Sequence, residues 1–203
     1  MKVSLIIPYN KDRGWLDLAI QSVYDQTYKD VELIMSKSDN GVSYNLNRGI
    51  EKAKGDYIKY LCEDDMLTPN SIQDSVNTMG LGNYDFIHGN STIIHAKGNI
   101  TLQRPRTTKP NLAEMIRSNV IHGGTLMYKA DVFKRFGLFD ETLNTGEEYD
   151  YNMKLLYNGA KLGYCDADLY KYRMHGNQKS YMLRRRNQAK RKATIEMIKN
   201  RYK

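Results

Sequence analysis

The chain has 203 residues, two cysteines and a formal net charge of +8, a length that suits one domain able to bury a core. No apolar run approaches the ~20 residues that cross a bilayer, and Met1-Lys2 leads into a strand rather than a signal peptide, so the expected location is the cytoplasm. Residues 181–203 hold nine Lys or Arg against the single acid Glu196; the other 180 residues carry 22 charges of each sign, which argues against a basic nucleic-acid channel in the body.

Val3-Ser4-Leu5-Ile6-Ile7, stopped by Pro8, reads as a buried parallel strand. Trp15, Leu18, Ala19, Ser22 and Val23 then recur at helical spacing, with Asp12 and Gly14 at the start. Val31-Glu32-Leu33-Ile34-Met35 is a second strand. Leu46, Ile50 and Ala53 line a second helix closed by Gly55, and a third strand covers 56–61. This β-α-β-α-β order implies a parallel sheet with right-handed crossovers, and such sheets bind ligands beyond the carboxyl ends of their strands.

A helix is expected at 69–79. Residues 84–88 and 91–95 are two short runs separated by Gly89-Asn90 that either pair or bend. Residues 96–110, polar with two prolines, read as a loop. Helices are expected at 111–118, 130–136 and 147–157, the last two ended by Gly137 and Gly159, with strands at 125–128 and 161–165. Cys62 and Cys165 lack metal-ligand spacing and read as reduced, strand-associated residues.

The basic tail at 181–203 places Arg191, Ile195, Ile198 and Tyr202 at helical spacing, with Leu183 before them. A cationic amphipathic helix of this kind either lies on an anionic membrane surface, attracted by roughly 1 kcal/mol per basic residue near the lipid, or packs its apolar side on the body. Its only aromatics are Tyr181 and Tyr202, so no nucleic-acid partner is expected.

Two acidic groups stand out. Glu63-Asp64-Asp65 follow the third strand and precede Thr68-Pro69. Carboxylates this crowded raise one another's pKa unless a hard cation holds them ionised; the other reading is a solvated turn entering a helix capped by Thr68. Glu147, Glu148 and Asp150 open a helix, whose N-terminus favours acids in any case.

Six fragments in order carry a family resemblance: Val3 through Asn10, Ala19 through Tyr28, Asn47-Arg48-Gly49-Ile50 with Ala53 through Ile58, Gly137-Leu138-Phe139-Asp140-Glu141, Gly146-Glu147-Glu148-Tyr149-Asp150, and Tyr172-Arg173-Met174-His175. Over about residues 1–180 they resemble a family 2 glycosyltransferase with the GT-A fold. The resemblance implies an α/β fold with a Rossmann-like, mostly parallel sheet and flanking helices. Residues 1–95 would form the nucleotide-sugar and metal half, and 96–180 an irregular acceptor and catalytic-base half.

It further implies metal-dependent, inverting transfer from a nucleotide diphosphate sugar, with UDP-sugar expected, to a hydroxyl of a glycan, lipid-linked or protein acceptor. Mn²⁺ or Mg²⁺ would bridge the donor phosphates on Asp64, Asp65 and His175. Pro8, Tyr9, Asn10, Asp39, Asn47, Glu63 and Asp64 would bind the donor, and Glu148, beside Glu147, would act as base. Arg173 or Lys179 would add positive charge near the phosphates, and His122-Gly123-Gly124 either shape the acceptor side or form a plain turn.

The chain departs from the family pattern in three places. Cys62 stands where the first aspartate of the metal motif belongs, and Ser36-Lys37-Ser38-Asp39 where the family has an aspartate that reads uracil. Glu148 replaces an aspartate and reaches one methylene further. Cys62, Lys37 and Glu148 motivate an alternative, a catalytically inactive nucleotide-sugar-binding module. A nucleotidyltransferase is a further alternative, although Pro8-Tyr9-Asn10-Lys11 is not glycine-rich as its phosphate loop would be.

Overall fold

The structure is a computed structural model that describes residues 1–96, 100–104, 109–176, 178 and 188–203, with backbone only at 100–104. β1 (Val3–Tyr9) lies inside the sheet, and residues 3–8 are all buried, as an aliphatic run covered on both faces requires. It pairs in parallel with β2 (Val31–Lys37) on one side and β3 (Tyr57–Tyr60) on the other. α1 (Leu16–Tyr24) and α2 (Val42–Lys52) make the crossovers. Asp12 Oδ1 accepts from the N–H groups of Gly14 (2.7 Å) and Leu16 (3.4 Å) and leads into α1. Ala19, Ser22 and Val23 face inward, but Leu18, expected on that stripe, is exposed.

The parity of β1 decides where the sheet opens. The Ile6 carbonyl accepts from Leu61 N–H at 3.0 Å, so even-numbered residues of β1 face β3. Pro8, the next of that set, has no N–H with which to extend the ladder. The ladder ends there, at the carboxyl end, and residues 62–65 form a turn in which Asp65 N–H donates to the Cys62 carbonyl (3.2 Å).

The chain continues through β4 (Met66–Leu67), α3 (Ser71–Gly82), β5 (Phe86–His95), β6 (Ile100–Arg104), α4 (Leu112–Arg117), a 3₁₀ turn (Gly123–Thr125), β7 (Met127–Lys129), α5 (Asp131–Phe136), α6 (Glu147–Tyr157), β8 (Leu162–Met174) and α7 (Gln188–Arg201). The strand order is β2-β1-β3-β7-β5-β8-β4, with β6 on β5. β7 runs antiparallel to β3 and β5, whereas the long β5–β8 pairing is parallel. This is the mostly parallel α/β sheet with flanking helices that was expected.

Several boundaries are corrected. The runs at 84–88 and 91–95 do not pair with each other: both belong to β5, and Gly89-Asn90 marks register shifts against β8. The strand expected at 161–165 continues to Met174, because its second half pairs with β5 and, through Tyr170 and Lys171, with β4. The loop expected at 96–110 contains β6, while 97–99 and 105–108 lie outside the described residues. Thr125 belongs to the 3₁₀ turn rather than to a strand.

The tail helix is part of the body. Ile198 of α7 is fully buried, and Ile195 and Tyr202 pack on the same core as Phe133, Phe139 and Tyr151. Of the two readings of the tail, the one in which α7 packs its apolar side on the body matches the burial of Ile198 and the partial burial of Ile195 and Tyr202. Lys179, Tyr181 and residues 183–186 lie outside the described residues. Among the described residues no helix is long and apolar enough to cross a membrane.

Asn47, expected at the donor, is instead a buried clamp. Its Nδ2 donates to the Phe139 carbonyl (3.0 Å) and to Glu141 Oε1 (2.7 Å), and its Oδ1 accepts from Phe139 N–H (3.1 Å). These partners lie on the segment before α6 and use both amide hydrogens of Asn47. Asn47→Ala would leave a buried N–H and carbonyl unsatisfied and is expected to cost roughly 2–4 kcal/mol, read from the urea midpoint. An unchanged midpoint would contradict the clamp.

Candidate functional site

The acidic loop after β3 meets the end of β8. Met66 pairs with Lys171 and Leu67 with Tyr170, which brings His175, just past β8, back over residues 63–65. His175 Nε2 lies 2.9 Å from Asp64 Oδ2, and the ring is almost wholly buried. Trp15 covers it at a centroid separation of 4.3 Å. Trp15 read as an apolar helix residue in the sequence; it is the N-cap of α1 and holds the imidazole in place. Its only sequence signal was that it is the one tryptophan in the chain.

Asp65, expected as a metal ligand, also carries structural hydrogen bonds. Its Oδ2 accepts from Tyr170 Oη (2.8 Å) and its Oδ1 from Arg173 N–H (2.7 Å). Burial, then the neighbouring Asp64, push its carboxyl well above the usual range. It ties the loop to β8. Arg173 is itself buried: its Nε donates to the Asp64 carbonyl (2.8 Å) and its Nη1 to the Ala96 carbonyl (3.0 Å). The guanidinium therefore faces main-chain carbonyls rather than open space for phosphates.

Glu63 forms an ion pair with Arg13, whose Nη2 also donates to Asn10 Oδ1 (3.3 Å). Burial and Asp64 raise the Glu63 carboxyl, and Arg13 opposes that rise. Arg13, absent from the residues chosen by sequence, thus links the loop after β1 to the acids. This pairing ties the acidic loop to the loop after β1.

Cys62, Asp64 and Asp65 place one donor atom each within 4.8 Å of one another. Burial, then Asp65, Asp64 and Glu63, push the Cys62 thiol well up. Asp64 and His175 add a further pair of donor atoms that fits a divalent ion. Their 2.9 Å separation is that of adjacent donors on an octahedral ion with bonds of roughly 2.1 Å.

At the carboxyl ends of β1 and β2, Pro8 is buried, Tyr9 half-buried, and Asn10, Lys37 and Asp39 exposed. Lys37 Nζ lies 5.8 Å from the Tyr9 ring centroid. Asn45 joins the two loops, its Nδ2 donating to the carbonyls of Tyr9 (3.1 Å) and Ser38 (3.0 Å). Asn45 was also missed, as one polar residue on a helix with no distinguishing spacing.

Glu147 and Glu148 occupy the first turn of α6, with Glu147 buried. The 3₁₀ turn supplies the close approach that its glycines permit. A Cβ on Gly123 would stand 2.8 Å from Glu148 Cγ and Oε1 and 2.5 Å from Tyr60 Oη; one on Gly124 would strike the Tyr170 ring. Glu148 and the hydroxyl at the end of β3 meet over Gly123. Burial, then Glu148, raise the Tyr60 hydroxyl well above its ordinary value, so it stays a donor.

Comparison with known proteins gives a consistent result. The family model described as Glycosyl transferase family 2 matches residues 18–137. Uncharacterized glycosyltransferases of Rickettsia felis and Rickettsia conorii are each 30% identical over 92% of this chain, which spans 36% of either relative. The uncharacterized glycosyltransferase EpsJ of Bacillus subtilis is 23% identical, over 86% of this chain and 62% of its own. Among solved structures, residues 1–349 of S. aureus TarS in complex with UDP-GlcNAc superimpose with a TM-score of 0.72 at 15% identity, over 88% of this chain and 60% of that one. The UDP complex of the same protein gives 0.70 at 15% identity, over 87% and 61%. At that identity the likeness shows the fold alone.

Proposed function

The chain belongs to glycosyl transferase family 2, and from that premise we propose that it moves a sugar from a nucleotide diphosphate donor to an acceptor hydroxyl with inversion at the anomeric carbon. The observation that carries this reading is the contact of Asp64 Oδ2 with His175 Nε2, which joins two positions 111 residues apart at the carboxyl end of the parallel strands. A divalent cation, Mn²⁺ or Mg²⁺, held by that pair would supply positive charge to the departing diphosphate. The TarS complexes with UDP and UDP-GlcNAc support UDP as the nucleotide.

The chain's own groups have separable tasks. The half-buried ring of Tyr9 offers the base a stacking partner, with the exposed Asn10 and Asp39 nearby in the loops after β1 and β2. Trp15 and Asp65 hold His175 and the acidic loop in register. Glu148 takes the proton of the attacking hydroxyl, and its place in the first turn of α6 favours the ionised carboxylate. The acceptor is a glycan, a lipid-linked sugar or a protein. Family membership displaces the nucleotidyltransferase alternative.

The test is a panel of nucleotide sugars with purified protein, Mn²⁺, Mg²⁺ or EDTA, following nucleotide diphosphate release and donor binding by calorimetry. At least one donor should bind and turn over with metal, and EDTA should abolish turnover. Failure to bind any donor would remove the proposal. Binding without turnover, acceptors included, would convert it to the binding-module reading.

Gly123→Ala supplies an internal check. The turn's backbone accepts alanine, but the added methyl would displace Glu148 and the Tyr60 hydroxyl. Turnover is expected to fall about tenfold or more, as for a misplaced catalytic group, with donor affinity kept. An unaffected rate would contradict the placement of Glu148.

A further inference from the structure

We infer that α7 is a positioning element for the Glu147-Glu148 pair, so that the basic C-terminal helix sets the rate of the reaction rather than serving only as surface charge. The inference rests on the proposed role of Glu148. It starts from the way α6 begins. Its N-cap, Gly146, has φ 77° and no side-chain cap, so this turn must be held from outside. α7 does so on both flanks of the acid pair.

On the preceding side, a Cβ on Gly146 would come within 3.0 Å of Ile198 Cδ1 and 3.1 Å of Ile195 Cδ1. Gly146 is therefore seated directly on the apolar side of α7. On the following side, the buried Asp150 accepts from Arg201 Nη1 (3.0 Å) and Tyr202 Oη (3.1 Å) through its Oδ1. Arg201 Nη1 also reaches Asp140 Oδ2 at 2.9 Å, on the segment that enters α6. Burial of Ile198 and the Tyr157–Tyr202 ring contact, 5.8 Å between centroids, continue the interface along the helix.

The residues immediately before and after Glu147-Glu148-Tyr149 thus rest on one helix. A shift of α7 passes to the carboxylates through a glycine and a part-buried ion pair, and displacements of about 1 Å at a reacting group cost on the order of 100-fold in rate. Nucleotide contacts at the ends of β1 and β2 lie on other elements, so donor affinity should not follow.

The experiment compares Arg201→Ala with Tyr202→Phe, Arg201→Ala alone and Arg201→Lys in the full chain. Arg135→Ala serves as the control, since it removes a comparable ion pair, with Asp85 (2.7 Å), that involves neither α7 nor Asp150. Turnover of the best donor, donor Kd and amide hydrogen exchange at residues 147–150 are measured at a temperature where all variants are folded. Expected are a tenfold or greater fall in kcat for the double variant, a Kd within twofold, faster exchange at 147–150, and partial recovery in Arg201→Lys. Arg135→Ala should lower Tm and leave kcat unchanged. Unchanged kcat in a folded double variant, or a fall matched by Arg135→Ala, overturns the inference. If the wild-type protein turns over no donor, the proposed function fails by itself, and unchanged exchange at 147–150 would still overturn the brace.

Discussion

Lys59→Met is expected to stabilise the protein at pH 6 by several kcal/mol and to flatten its stability between pH 6 and 10. Lys59 lies mid-strand in β3, fully buried, and its Nζ donates, among the described residues, only to the carbonyls of Thr125 (3.2 Å) and Leu126 (3.3 Å). Burial pulls its ammonium down from 10.5 to about 7. The unfolded chain therefore holds more protons than the folded one between about pH 7 and 10.5, and stability attributable to Lys59 rises with pH across that window. Below pH 7 the full penalty applies, about 5 kcal/mol for a shift of roughly 3.5 units at 1.36 kcal/mol each.

Methionine keeps the volume and apolar stem but leaves the two carbonyls without their donor, which returns about 1–3 kcal/mol. The net gain at pH 6 is thus about 2–4 kcal/mol. The sharper quantity is the difference between the variant and the parent, since all other titrating groups cancel in it. That difference should shrink by about 4 kcal/mol from pH 6 to pH 10 in urea titrations. Parallel pH profiles would show that Lys59 is neither dry nor shifted.

How much of this was legible depends on the distance over which each feature is encoded. β1 announced itself because a strand covered on both faces must be continuously apolar, and α6 because its acids and Gly159 bracket a periodic run. β8 was read short because Asp166, Asp168 and Lys171 interrupt its apolar pattern. Those polar groups are accommodated by particular partners, such as Thr92 on the Asp168 carboxylate, that no local window contains. Leu18 followed helical spacing yet faces solvent, since a nine-residue helix can rotate its stripe by one position at little cost.

The site divides in the same way. Asp64, Glu148 and His175 entered as candidates through the family resemblance, and the fold brings Asp64 and His175 into contact. Asp65 and Asn47 matched the same motifs, and the fold also engages both in holding backbone and side-chain partners. A motif records residue type, whereas a ligand needs a lone pair that the fold has left open. Trp15, Arg13 and Asn45 have no motif at all. Their roles exist only once β8, the acidic loop and the loop after β2 are placed beside them.

Glu148→Gln should have the largest effect on the reaction, a loss of kcat of about 10²–10⁴-fold with donor Kd unchanged within twofold. Glutamine keeps the shape that fits over Gly123 and can still touch the acceptor hydroxyl, but it cannot take the proton as the oxygen attacks. The alternative within the pair is Glu147, and burial separates them: Glu147 is 6% exposed, whereas Glu148 is half-buried and beside the strand-end hydroxyl of Tyr60. A buried carboxylate in the first turn of a helix acts on the helix itself, so Glu147→Gln should lower Tm and leave most of the turnover. Measuring both variants for kcat, Kd and Tm assigns the base by pattern rather than by one number. A large kcat loss in Glu147→Gln with near-normal turnover in Glu148→Gln would move the base to Glu147, and near-normal turnover in both would remove the α6 acids from the chemistry.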